Sequence, residues 1–398
     1  MTDPLPRADW SFPTRIRFGA GRVVELPAAC AELGLRRPLL VTDRGLANHP
    51  MIAEAIRRNA EAGVATGLFG GVRPNPFVAD VTEGLAVYRA GGHDGVIAFG
   101  GGSSLDAGKA IAFMSAQRHP IEALTVANFQ EFQDAQAKIV TAGLPPVITV
   151  PTTSGTGSEI GRAAALIDPA ARVKKGLFHQ RMMPALCLAD PALTVGLPPA
   201  LTAAVGMDAF VHNLEAYLCP LFHPFSEGAA LAGIQLCRDW LPRAVADGHD
   251  LVARSHMMAA SLAGAVAFQK GLGAVHALSH PLSSVLGAHH GLGNGVLLPY
   301  VLAFNRPAIE AKLAVLARLL DLPEPGYAGV VGWVLDLRRT IGVPHTADAL
   351  GLTEAMVPEL AVMAARDLNA PENPIPFDAN DAERIYRDAL GGRVDGVR

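Results

Sequence analysis

Four short apolar runs punctuate the first half of the chain: Pro38-Leu-Leu-Val-Thr42, Gly95-Val-Ile-Ala-Phe99, Pro146-Val-Ile-Thr-Val150 and Ala185-Leu-Cys-Leu-Ala189. Runs this short, rich in branched residues and without polar alternation, predict strands buried on both faces, as in a parallel sheet. Helical stretches separate them, so the order predicts a wound α/β domain. The pattern changes after Asp190-Pro191. Apolar positions then recur at helical spacing, and Thr194 to Val205, Glu227 to Trp240 and Pro307 to Leu320 predict helices. The boundary is placed near residue 190, with an α/β domain over 1–190 and an all-helical domain over 191–398. Sites in chains of this plan tend to lie in the cleft between domains.

Composition narrows the classes. A chain of 398 residues allows two domains at about 150 residues each. Half of it is apolar and 18% is charged, which suits a large core. A net charge of -4 gives no reason to expect a nucleic-acid partner. The apolar segment Met257 to Phe268 is too short to span a bilayer and reads as a core helix, so no membrane association is expected. MTDPLPRADW carries no basic stretch followed by an apolar run, the mark of a secretory leader. The four cysteines (Cys30, Cys187, Cys219 and Cys237) form no CxxC pair and read as small buried hydrophobes. Together these lead us to expect a cytoplasmic location.

Two strands run into loops built for phosphate. Gly100-Gly101-Gly102-Ser103-Ser104 follows one and opens a helix through Asp106. Glycines let a phosphate reach the backbone, and a helix start offers free N–H groups and the positive dipole end. Pro151-Thr152-Thr153-Ser154-Gly155-Thr156-Gly157 follows another, with hydroxyls able to donate to a pyrophosphate or ribose. Asp43 ends the first strand. A carboxylate there accepts from a ribose 2′-hydroxyl and repels a 2′-phosphate, favouring NAD over NADP, although Arg44 beside it offers the phosphate a partner.

Asp208 and His212 lie four apart in a helical region and so share a face. His276, His280, His289 and His290 follow downstream. One carboxylate with imidazoles and no thiolate suits a borderline divalent cation. Spacing does not select among the four later histidines.

These segments resemble the iron-containing (group III) alcohol dehydrogenase family. The resemblance runs through Val41-Thr42-Asp43, the RPNP of Arg73 to Pro76, GGGSSLDAGKA at 100–110 and PTTSGTGSE at 151–159. It continues in ADPALT at 189–194, GMDAFVHNLEAY at 206–217, GLGAVHALSHPL at 271–282, HHGLGNG at 289–295 and NPIP at 373–376. It implies a Rossmann-like domain followed by an all-α domain, the plan shared with dehydroquinate synthase. It implies one divalent metal, iron first and zinc or another ion next, on Asp208, His212, His276 and His290. His280 matches a histidine near the nicotinamide, a candidate catalytic proton relay. Asn75, Gly101, Gly102, Thr152, Thr153 and Lys174 match cofactor positions, to which the loop reading adds Asp43, Gly100, Ser103, Asp106 and Thr156. The implied reaction interconverts an alcohol with its aldehyde or ketone, in homodimers or larger assemblies.

Three departures from the family pattern stand out. Gly161 replaces a threonine after the second loop. The run Phe268-Gln269-Lys270-Gly271 is one residue shorter than in lactaldehyde-reductase-like members, which would reshape the substrate pocket. His289 precedes His290 where the family varies. Were Lys270 to reach the pocket beside Phe268, an acidic substrate such as a semialdehyde would follow. Glycerol-dehydrogenase-like, maleylacetate-reductase-like and dehydroquinate-synthase-like enzymes share the two-domain plan. A non-catalytic nucleotide and metal sensor is the reading from another class.

Overall fold

A computed structural model describes residues 14–394. The strands are β1 (Arg15–Phe18), β2 (Leu39–Asp43), β3 (Gly67–Val72), β4 (Val96–Gly100), β5 (Val147–Pro151), β6 (Ala163–Asp168), β7 (Val173–Phe178) and β8 (Leu186–Ala189). Among them run the helices α1 (Leu26–Glu32), α2 (Pro50–Glu61), α3 (Val78–Ala90), α4 (Gly102–Met114) and α5 (Phe129–Ala137). The helices after the last strand are α6 (Pro199–Leu218), α7 (Pro224–Ala246), α8 (Leu251–Ala267), α9 (Ala274–Leu286) and α10 (His290–Leu319), then α11 (Gly326–Thr340), α12 (Val357–Ala365) and α13 (Ala379–Gly391).

Six strands form one sheet in the order β1-β8-β5-β4-β2-β3. Every pairing within it is parallel. Successive side chains enter opposite layers, as the period of two requires. Leu39, Val41, Val96 and Ala98 pack with α3 and α4, whereas Leu40, Ile97, Phe99 and Ile148 pack with α1 and α2. Burial on both faces explains why these strands are apolar throughout. β6 and β7 form a separate antiparallel pair.

The four predicted strands are present, each within about a residue of its run. β1 and β3 escaped the reading because RIRF alternates charge and GLFGGV is weakened by glycine. The helix expected from Thr194 begins instead at Pro199, because Gly196 at φ +89° and Pro198 at the N-cap break the chain before it. The helix expected from Pro307 is the last part of α10, which carries Pro299 and Pro307 within it.

The chain divides into two compact units. One runs to Leu197 and includes Gly248–Met258; the other takes Pro198–Asp247 and the chain from Ala259. The return of 248–258 to the first unit has a local cause. Arg254, buried, donates from Nε to Gly248 O at 3.0 Å and from Nη2 to Leu197 O at 3.3 Å. Among the described residues of the second unit there is no strand. Leu251–Lys270 is longer than the apolar run read from the sequence and is long and apolar enough to cross a membrane, but 56% of its apolar stretch is buried inside the protein.

Candidate nucleotide loops and metal centre

In the first unit, both glycine-rich loops leave the ends of neighbouring parallel strands, β4 and β5. Gly100 has φ +144°, and a Cβ there would meet Ser104 Oγ at 2.5 Å. Gly102 opens α4, and a Cβ on it would meet Thr156 Cγ2 at 2.5 Å. Bare backbone and a helix start thus coincide, which is what an anionic group needs. Thr152 N donates to Gly100 O at 2.9 Å and links the two loops. Thr153 packs beside Gly101, and Thr156 Oγ1 accepts from Ser158 N at 3.2 Å. Asn75 sits at φ +51° and donates its N–H to Ser103 Oγ at 3.1 Å, which places the RPNP segment over the first loop. Lys174 lies half-buried on β7, opposite Ile167.

Asp43 accepts from Gly45 N at 2.9 Å and Leu46 N at 3.1 Å through Oδ1. Its Oδ2 accepts from Ser104 Oγ at 3.0 Å. The carboxylate is therefore held against the first loop. Asp106, expected as a cofactor contact, makes its hydrogen bonds here within the protein. Its Oδ1 accepts from Ser158 Oγ and lies 3.3 Å from Lys109 Nζ, and its Oδ2 accepts from Ala165 N at 3.0 Å. Both oxygens are committed within the protein, so Asp106 ties the loops together. Lys109 is buried and also donates to Gly161 O at 3.3 Å. The glycine that departs from the family pattern thus contributes its carbonyl to this network.

In the second unit, α6 presents Asp208, His212 and Glu215 at i, i+4 and i+7, one stripe of the helix. His276 comes from the first turn of α9 and His290 opens α10. Gly291 lets α10 approach closely: a Cβ on it would meet Ala204 O at 2.3 Å and Asp208 Cβ at 2.8 Å. One donor atom each from Asp208, His276 and His290 lies within 4.8 Å of the others. His290 Nε2 is 3.7 Å and His212 Nδ1 3.9 Å from Asp208 Oδ1. The His212 and His276 rings are 4.6 Å apart. Asp208 is 2% exposed, His276 2% and His212 6%, whereas the His290 side chain is 15% exposed and opens the cluster on one side.

These donors fit a divalent cation. Buried polar atoms are normally hydrogen-bonded, yet His212 Nδ1 is buried without a hydrogen-bond partner beside the Asp208 carboxylate. A cation bound by imidazole nitrogen and carboxylate oxygen accounts for such a lone pair.

The ambiguity over the histidines resolves locally. His289 is exposed and caps α10, accepting from Leu292 N at 3.4 Å. His280 stacks on His290 at 5.3 Å, and its Nδ1 lies 2.8 Å from Asp367 Oδ2. Phe268 lies against His212, 5.3 Å between ring centroids.

Two residues depart from the expected picture. Glu215 was missed. Its Oε2 is 2.5 Å from His276 Nδ1 and its Oε1 accepts from Val275 N at 2.8 Å. Burial pushes its pKa up to about 7, with the backbone hydrogen bonds opposing. The i+7 spacing from Asp208 was the available signal. Lys270 does not offer a free charge to a substrate. It is 1% exposed, and Nζ donates to Glu227 Oε1 at 2.5 Å and to Tyr217 O at 3.2 Å. Lys312 shares Glu227 at 3.1 Å.

A fold of this kind with an Asp/His cation site defines a metal-dependent dehydrogenase class, and comparison with known proteins agrees. The chain belongs to the iron-containing alcohol dehydrogenase family: residues 13–191 match its N-terminal part, and residues 202–390 match the Fe-containing alcohol dehydrogenase family, C-terminal. It is 40% identical over 390 residues to 4-hydroxybutyrate dehydrogenase of Cupriavidus necator, covering 95% of this chain and 99% of that one. It superposes on the crystal structure of 1,3-propanediol oxidoreductase with a TM-score of 0.90 at 34% identity, covering 96% and 100% of the two chains. Sulfoacetaldehyde reductase from Bifidobacterium kashiwanohense, solved in complex with NAD+, gives a TM-score of 0.85 at 27% identity, covering 96% and 98%. The chain is an alcohol/aldehyde oxidoreductase of this family.

Proposed function

We propose that the protein is an NAD-linked dehydrogenase that interconverts a primary alcohol and its aldehyde, on a substrate carrying an anionic group at its far end. The convergence of Asp208 and His276, both buried, with the partly exposed His290 carries the oxidoreductase reading. The anionic end is supported by two similar proteins, named for 4-hydroxybutyrate and for sulfoacetaldehyde. NAD is supported by the Asp43 carboxylate against the first loop, which would repel a 2′-phosphate. The resemblance favours iron, on Asp208, His212, His276 and His290, a donor set that suits a borderline divalent cation. We assign the assembly as a homodimer or larger, in the cytoplasm.

When bound, a divalent cation supplies Lewis acidity toward the substrate oxygen and the nicotinamide supplies the hydride chemistry. The protein's own groups prepare this. Glu215 braces His276 through Nδ1, so that Nε2 faces the Asp208 side. Asp367 Oδ1 accepts from Asn369 N and Nδ2, both at 2.9 Å, and its Oδ2 holds His280 Nδ1. With Nδ1 donating to Asp367 Oδ2, Nε2 keeps its lone pair. His280 Nε2 is then the atom that takes the alcohol proton and returns it in the reverse direction.

The test is NADH formation by the iron-loaded protein on 4-hydroxybutyrate, butan-1-ol and butane-1,4-diol. A charge-assisted contact contributes about 1.5–3 kcal/mol, so kcat/KM for the hydroxy acid should exceed that for butan-1-ol at least tenfold. A chelator should abolish turnover. Equal or better turnover of the neutral alcohols removes the anionic-substrate reading, and no turnover of any alcohol removes the enzyme reading.

A further inference from the structure

Asn294 takes no part in the reaction described above, yet it stands at the centre of the metal cluster. It lies one helical turn after His290 on α10, so the two share a face. The side chain is fully buried. Its Nδ2 is 2.8 Å from Asp208 Oδ1, 3.2 Å from His276 Nε2 and 3.3 Å from His290 Nε2. Its own Oδ1 is buried with no hydrogen-bond partner.

An amide group has two protons to donate, and a carboxylate oxygen and two imidazole nitrogens surround this one. Asp208 Oδ1 is the nearest and the only carboxylate oxygen among them, so it draws the shortest of these hydrogen bonds. We propose that Asn294 is a positioning residue for the cation. It donates to Asp208 Oδ1 and fixes that carboxylate against His276 Nε2 and His290 Nε2, so that binding does not have to order it. The inference rests on reading these residues as the metal site. Side chains that orient metal ligands are typically worth ten- to a hundredfold in affinity when removed.

Three full-length proteins test it: wild type, Asn294→Ala and Asn294→Leu, the last filling the volume without a donor. The dissociation constant for Co(II) is read by competition with a chromophoric chelator. The visible absorption of the Co(II) protein is recorded alongside, and NAD+ binding reports the folded nucleotide unit. Both variants should bind Co(II) at least tenfold more weakly, with NAD+ affinity kept and Co(II) band intensity near wild type. Wild-type Co(II) affinity in either folded variant overturns the proposal. So does a several-fold change in band intensity, because it would mean that the residue supplies a ligand itself. Failure of the wild type to bind one Co(II) per chain would overturn the metal-site reading instead, which separates the two failures. Should Asn294→Ala not fold, Asn294→Leu decides alone.

Discussion

Glu215 illustrates how much one buried side chain can set. Each oxygen has a separate task, one on His276 Nδ1 and one on Val275 N. Glutamine has a single acceptor oxygen, so Glu215→Gln satisfies one of these groups and leaves the other opposed by an N–H. We expect metal retention after dialysis to fall ten- to a hundredfold, with helix content by circular dichroism unchanged. Retention at the wild-type level would refute the role. The sequence showed only that Glu215 shares a helix face with Asp208, and its role stayed hidden for a physical reason. A glutamate in an apolar helix gains its meaning from α9, which approaches it from 61 residues away. His290 was undecided for a related reason. Only the start of α10, capped by His289, shows which of two adjacent histidines turns inward.

Among the elements, the start of α9 carries the clearest design. A helix start leaves N–H groups without partners in the helix. Here three side chains accept from that region: Glu372 Oε2 from Leu272 N at 3.1 Å, Asn373 Oδ1 from Ala274 N at 3.0 Å, and Glu215 Oε1 from Val275 N at 2.8 Å. The glycines of GLG make room for them. A Cβ on Gly271 would meet Glu372 Oε2 at 2.8 Å, and one on Gly273 would meet Asn373 Oδ1 at 2.8 Å. Asn373 also exchanges hydrogen bonds with the Asn305 amide at 2.9 and 2.7 Å. Asn373→Ala therefore leaves buried donors and acceptors unmet. It should cost about 1–3 kcal/mol in urea unfolding, with His276 displaced and metal affinity lowered. A loss under about 0.5 kcal/mol, the size of a neutral surface change, would argue against the clamp. GLG and NPIP were both visible as motifs. That they form one device was hidden by the sequence separation of 99 between Ala274 and Asn373.

For the whole molecule, the pH dependence of unfolding reports on a buried charge. Burial is the main cause that moves the Lys270 ammonium down from 10.5 to about 8; Lys312 adds to this and Glu227 opposes it. In the unfolded chain the group keeps its ordinary value near 10.5. Between pH 8 and 10.5 the unfolded chain then binds more protons than the folded one, so stability from this group rises with pH across that window. Lys270→Met should remove the rise. The thermal midpoint of wild type relative to Lys270→Met should climb from pH 7.5 to pH 10, and a flat difference would discount the buried ammonium.

By itself the sequence determined the parallel sheet, the two loops at its strand ends and the pairing of Asp208 with His212 on one helix face. All three follow from local rules: apolar runs, glycine at tight turns and a 3.6-residue period. The tertiary structure alone decided that His276 and His290 converge with Asp208, and that Glu215 and Asn294 brace them. It also committed Lys270 to Glu227 and Asp106 to Ser158. These outcomes depend on how closely helices pack, and residues such as Gly291 set that distance between α6 and α10. Spacing along a chain specifies which side chains share a face. It does not specify which faces meet, and the metal site is made where they do.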